Sequence, residues 1–310
     1  MFGIQPYNYE TFTKDLLLKD ISGPRTIVEG PRPGEKAPDF EGRTLDGDKI
    51  RLSDFRGKKN LVLTFGSVTC PMTAGSIGAL DELGEEFDSD EVQFLFIYIR
   101  EAHPGEKIPA HTSMQEKAAA AELLRAEEAL EIPILVDDLR GTIHRKYGKL
   151  PNQTFIIDKS GRVAFRAYWT QPSLIEEALK ELLQVQDERG VEHAVVLGGE
   201  DKSVPVRSTL FHAYRALRRG GKQSVRDFEK AMGLPGRMMM ASSRIVGPVA
   251  EHPGKTLAAL ALGAGVVAAG IFAGRALRER RFSRQPYRYF PVEPEEEQME
   301  AGSDYGAVGI

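Results

Sequence analysis

The chain has 310 residues, 41 Lys and Arg against 45 Asp and Glu, and a net charge of −4. At that length it can bury one domain of about 150 to 200 residues plus appendages. The near-balanced charge excludes polyanion binding as a property of the whole molecule, and the single cysteine excludes an intrachain disulfide or a Cys-x-x-Cys redox pair.

Residues 1–32 form an N-terminal lead-in with Tyr7, Tyr9, Phe12, Leu16 and Leu17, followed by a Gly/Pro-rich stretch from Ser22 to Gly34. No charged n-region followed by an apolar run opens the chain, which places the catalytic domain on the cytoplasmic side. Residues 33–190 read as that domain. Asp46-Gly47 predicts a hairpin turn before a strand at Lys49–Leu52, and Ser53-Asp54-Phe55 predicts a short capped turn. Strand and helix periods then alternate: strand Asn60–Gly66, helix Pro71–Phe87, strand Val92–Arg100, helix Ser113–Glu131 and strand Ile132–Val136. A short helix over Leu139–Tyr147 follows, then strand Gln153–Ile157, strand Arg162–Tyr168 and helix Pro172–Val185. Ile77, Leu80, Leu83 and Phe87 face the sheet at helical spacing, leaving Asp81, Glu82 and Glu85 to solvent. The pattern predicts an α/β fold, a thioredoxin-like three-layer sandwich of redoxin type with one C-terminal transmembrane helix.

Residues 191–250 read as a basic helical connector. Its amphipathic patterns at Thr209–Arg219 and Ser224–Met232 carry Arg215, Arg218, Arg219, Lys222, Arg226 and Lys230 without interleaved aromatics, which suits a membrane surface and no nucleic acid. Thr256–Gly274, inside the span assigned to 251–275, is nineteen residues without a charge, long enough to cross a bilayer once. Its Gly270–Gly274 run offers a small-residue face for pairing in a homodimer. Residues 276–310 form an Arg-rich, then acidic, disordered tail. The arginines beyond the span favour a cytoplasmic C-terminus and so oppose the missing leader; the reading keeps the catalytic domain cytoplasmic.

The chemistry centres on Cys70, where Leu63-Thr64-Phe65-Gly66-Ser67-Val68-Thr69-Cys70-Pro71 passes from strand to helix. Helix amides and the helix dipole favour a thiolate there, Pro71 suits the first helical position, and Ser67 and Thr69 supply hydroxyls. The expectation is an exposed, reactive thiol. The loop after the third strand carries Glu101 and His103, and His111 follows; loops at neighbouring strand ends converge, so Glu101 is expected to orient His103 beside Cys70 as an acid/base pair. The rival use of Cys70, His103 and His111 is a metal, in a non-enzymatic membrane-anchored assembly or binding module, although their spacing matches no compact metal motif.

Gly34-Glu35-Lys36-Ala37-Pro38-Asp39-Phe40, Leu52-Ser53-Asp54-Phe55 and Gly57-Lys58 resemble the opening of redoxins and peroxiredoxins. Phe65–Pro71, Phe94–Pro104 and Pro109-Ala110-His111 resemble the signatures of the iodothyronine deiodinases, with Cys70 where that family carries selenocysteine. The resemblance implies a thiol-dependent oxidoreductase: Cys70 attacks a small, halogenated aromatic substrate, Glu101, His103 and His111 manage protons, and Ser67, Thr69 and Pro151 support the thiolate or substrate. Pro151 stands where thioredoxin-like folds keep a cis-proline facing the cysteine. No cofactor is implied beyond an external thiol reductant such as thioredoxin or glutathione. The family's substrate-clamping Arg has no counterpart in Tyr168-Trp169-Thr170-Gln171-Pro172. The alternative is a one-Cys peroxiredoxin-like peroxidase or general redoxin, in which Ser67 hydrogen-bonds a peroxide and Cys70 passes through sulfenic acid.

Overall fold

The computed structural model describes residues 7–18, 29–87, 91–189, 193–196, 200–251 and 288–291. In chain order the elements are β1 (Glu41–Arg43), β2 (Lys49–Arg51), β3 (Asn60–Gly66), α1 (Pro71–Glu86), β4 (Val92–Tyr98), α2 (Met114–Glu128), β5 (Ile134–Val136), α3 (Thr142–Tyr147), β6 (Thr154–Ile157), β7 (Val163–Ala167), α4 (Pro172–Arg189), β8 (His193–Val196), β9 (Glu200–Asp201), α5 (Val206–Gly220), α6 (Lys222–Met232), α7 (Leu234–Glu251) and β10 (Arg288–Pro291).

Six strands form one sheet in the order β5-β4-β3-β6-β7-β9. β4 runs parallel to β3 and to β5, whereas β6 is antiparallel to β3 and to β7. Two parallel crossovers followed by a β-hairpin and a helix make the thioredoxin-like arrangement. All seven residues of β3 are buried, as a central strand covered on both faces requires. Val62 and Phe96 turn to a core shared with α1, α2 and α4; Leu61, Leu63, Phe65, Leu95 and Ile97 turn to a second core with Phe40, Leu52, Ile143 and Tyr147. The β1–β2 hairpin closes through Gly47 at φ +94°, a left-handed turn position open to glycine.

Helix α2 opens with a reciprocal capping box, Ser113 accepting from the Glu116 N–H. Asp81, expected in solvent, is buried: its carboxylate accepts from the backbone N–H groups of Glu131 and Ile132, at 3.1 and 2.9 Å. Helical periodicity alone does not reveal that partner, which lies fifty residues away in sequence.

The expected connector packs on the domain instead. Helix α5 lies along α1, so close that a Cβ at Gly75 would stand 3.0 Å from the Ser208 backbone. Ala213, Leu217, Val225, Phe228, Ala231 and Met240 of α5–α7 are buried with Tyr9, Phe12 and Leu16 of the lead-in. These apolar faces, assigned above to a membrane surface, are covered by the chain itself. Arg215 and Arg219 pair with Glu128, and Arg219 also with Glu127. The uncharged segment Thr256–Gly274 lies outside the described residues, among which no helix is long and apolar enough to cross a membrane.

Candidate active site

The parallel strands β3 and β4 end side by side at Gly66 and Tyr98, and the loops leaving them carry the site. Backbone and side chains stitch the two loops together. The Ile99 N–H donates to the Gly66 carbonyl at 3.0 Å, the Ala102 N–H to Ser67 Oγ at 3.1 Å, and the His103 N–H to Thr69 Oγ1 at 3.1 Å. Ser67 and Thr69 thus act as acceptors that fix the segment leading to Cys70.

Cys70 is the N-cap residue of α1, with extended backbone (φ −84°, ψ 119°), and Pro71 takes the first helical position as expected. Its burial departs from expectation: Cys70 is 1% exposed where an open thiol was anticipated, and Arg219 reaches back to the nearby Val68 carbonyl at 3.3 Å. The Leu150–Asn152 turn lies against the first turn of α1, with Asn152 Nδ2 3.5 Å from Thr73 Oγ1 and 3.4 Å from the Phe65 carbonyl. Among the described residues every peptide bond is trans, that of Pro151 included.

Glu101 is the hub. It is 3% exposed, and both carboxylate oxygens are engaged. Oε1 accepts from Tyr98 Oη and lies 3.0 Å from His111 Nε2; Oε2 accepts from Thr69 Oγ1 at 2.6 Å and from the Thr69 N–H at 3.2 Å. Three donors from Tyr98 and Thr69 thus converge on one carboxylate, with the His111 ring nitrogen as its fourth polar neighbour. Tyr98 is held well above the usual phenol range, by burial first and then by the Glu101 charge, so it remains a donor.

The expected Glu101–His103 pair is therefore corrected: the imidazole bound to Glu101 is that of His111. His103 instead packs against Phe12, with ring centroids 4.2 Å apart and the planes tilted by 56°, and meets Phe228 edge-on at 5.5 Å. Burial pushes its pKa down to about 3, so the ring is neutral, and its Nδ1 has no hydrogen-bond partner among the described residues. Sequence reasoning passed over Tyr98, because an aromatic at the end of a buried strand reads as core; its place three residues before Glu101 was the available signal. Among the described residues no group of three or more His, Cys, Asp or Glu is placed to hold a metal ion.

A family model described as iodothyronine deiodinase matches residues 24–184. The chain is 35% identical over 137 residues to thyroxine 5-deiodinase of Gallus gallus, covering 41% of this chain and 52% of that protein. It is 32% identical over 142 residues to type I iodothyronine deiodinase of Xenopus laevis, covering 43% and 55%. The chain thus spans about half the length of the curated relatives it matches. Among solved structures, the exposed lipoprotein thioredoxin Etrx1 of Streptococcus pneumoniae aligns at a TM-score of 0.37 with 28% identity, over 47% of this chain and all of that one. A thioredoxin-family thiol:disulfide interchange protein of Chlorobium tepidum aligns at 0.39 with 16% identity, over 50% and 99%.

Proposed function

Since the chain belongs to the iodothyronine deiodinase family, we propose that it is a thiol-dependent oxidoreductase that removes iodine from an aromatic ring, with Cys70 as the nucleophile. The Cys70 thiolate attacks iodine: an S–I bond forms, the C–I bond breaks, and its electron pair stays on the ring carbon. That carbon takes a proton from the Thr69 hydroxyl, which regains one from His111 through Glu101, and the proton released by the incoming thiol restores the network; the ring leaves with hydrogen in place of iodine. An external thiol attacks the sulfur and expels iodide, leaving a mixed disulfide. A second thiol frees Cys70 and departs as the oxidised disulfide. Two thiols thus supply the two electrons, and both come from outside because the chain has one cysteine.

The observation that carries this reading is the Glu101 hub, which joins a phenol, an imidazole and the hydroxyl of Thr69, the residue next to Cys70. His103, neutral and with an unpartnered Nδ1, is suited to hydrogen-bond a phenolic oxygen of the substrate, not to shuttle protons. The test is a paired assay of the purified chain with dithiothreitol, one arm supplying an iodinated phenol and the other hydrogen peroxide. Iodide release that is lost in Cys70→Ser supports the reading. Consumption of peroxide with no iodide release rejects it.

A further inference from the structure

Cys70 and His103, 1% and 7% exposed, are both covered in this conformation. The cover over His103 comes from two segments outside residues 24–184, the part of the chain that the family shares. Phe12 of the lead-in tilts across the imidazole, Phe228 of α6 meets it edge-on, and the two phenyl rings stack on each other at 6.3 Å. The two sides are held differently. Helix α6 is clasped to the loop that carries His103: Ser224 Oγ lies 2.9 and 3.1 Å from the His103 and Pro104 carbonyls, and Glu106 accepts from the N–H groups of Lys222 and Gln223. The lead-in is held at this loop through its tyrosines, Tyr9 Oη donating to the Ala102 carbonyl at 2.7 Å and Arg100 donating to the Tyr7 carbonyl at 3.1 Å, whereas Phe12 meets it by ring packing.

We infer that Phe12 and Phe228 form an aromatic gate that sets substrate class, Phe12 swinging away so that an aromatic ring takes its place against His103. An arriving ring restores the ring contact that Phe12 gives up, so opening is repaid by aromatic ligands and not by small aliphatic ones. The inference rests on the proposed function for the iodinated substrate, but its test does not.

The rate at which Cys70 of the full chain is alkylated by iodoacetamide and by its aromatic analogue iodoacetanilide reports the gate directly. In the wild type, Cys70 should favour iodoacetanilide beyond the ratio shown by a free thiol. In Phe12→Ala the iodoacetamide rate should rise by about tenfold or more and the aromatic preference should fall to the free-thiol ratio; Phe12→Trp should keep the preference. Leu16→Ala, which loosens the same apolar cluster away from the His103 ring, should leave the preference intact. The gate is overturned if the wild type shows no aromatic preference, or if Leu16→Ala opens the site as far as Phe12→Ala does. Should Phe12→Ala fail to fold by circular dichroism, Phe12→Leu carries the same two expectations. A gate that passes while no iodophenol is deiodinated would remove the proposed reaction and leave the gate standing.

Discussion

Glu101 meets three donors and the His111 ring inside a nearly dry site, and Glu101→Gln keeps its shape while replacing one acceptor oxygen by a donor. General acid–base groups contribute roughly 10² to 10⁴ in rate, so Glu101→Gln and His111→Ala are each expected to lower kcat by about 100-fold or more with little change in KM. His103→Ala should instead raise KM and leave kcat within about threefold, since a ring with no bond to Glu101 holds substrate and moves no proton. Steady-state kinetics on an iodophenol checks all three; a fall in kcat for His103→Ala alone would reverse the assignment. Cys70, Thr69 and Ser67 were legible in the sequence because a strand giving way to Pro71 marks a helix start. The choice between the two histidines was not, because it depends on where a loop of some ten residues folds back.

Buried neutral histidines also tie stability to pH. His103 is lowered to about 3 and His144 well below its usual value, in both cases chiefly by burial. Below the unfolded pKa of about 6.5 the unfolded chain binds protons that the native chain does not, so stability falls as pH drops from there toward the native pKa, by up to about 1.4 kcal/mol per pH unit for each ring. Urea denaturation between pH 7 and 5 should show this loss, and His103→Gln should make it shallower; an unchanged slope would show that His103 is not neutral in the native state.

At the scale of elements, the strands and helices of residues 60–189 follow closely from hydrophobic period and turn chemistry. The structure moves their ends: the helix expected to Val185 runs on to Arg189, and the strand expected to Arg100 stops at Tyr98 and frees Glu101 to turn inward. The packing of α5–α7 was not legible, because an amphipathic helix declares an apolar face and not its partner. The junction of α5 and α6 is tight: a Cβ on Gly220 would stand 2.1 Å from Ser224 Oγ and 2.7 Å from the His103 carbonyl. Gly220→Ala should therefore cost about 1 to 3 kcal/mol and speed Cys70 alkylation, as measured by urea melts and thiol labelling. A neutral substitution would mean that this junction gives way freely.

For the whole molecule, β10 pairs antiparallel with β8 from Arg288↔Val196 to Pro291↔His193. A chain that crossed a bilayer once at Thr256–Gly274 would part these strands, so the pairing predicts that residues 288–291 lie on the same side as residues 193–196. Single-cysteine variants in a Cys70→Ser background test this with a membrane-impermeant maleimide on sealed vesicles. Ser203→Cys and Arg288→Cys should label from the same side; labelling from opposite sides would dissolve the ribbon. Composition revealed that the segment is uncharged, but not where the chain goes after it, because strand pairing across some ninety residues leaves no local mark.

In the proposed reaction one sulfur takes the iodine and is returned by an outside thiol. Peptide mass spectrometry of the chain during turnover of an iodophenol with glutathione measures this directly. A glutathione mixed disulfide on Cys70 should rise in step with iodide release and be absent without the iodophenol. Iodide released while Cys70 stays a free thiol throughout would contradict it.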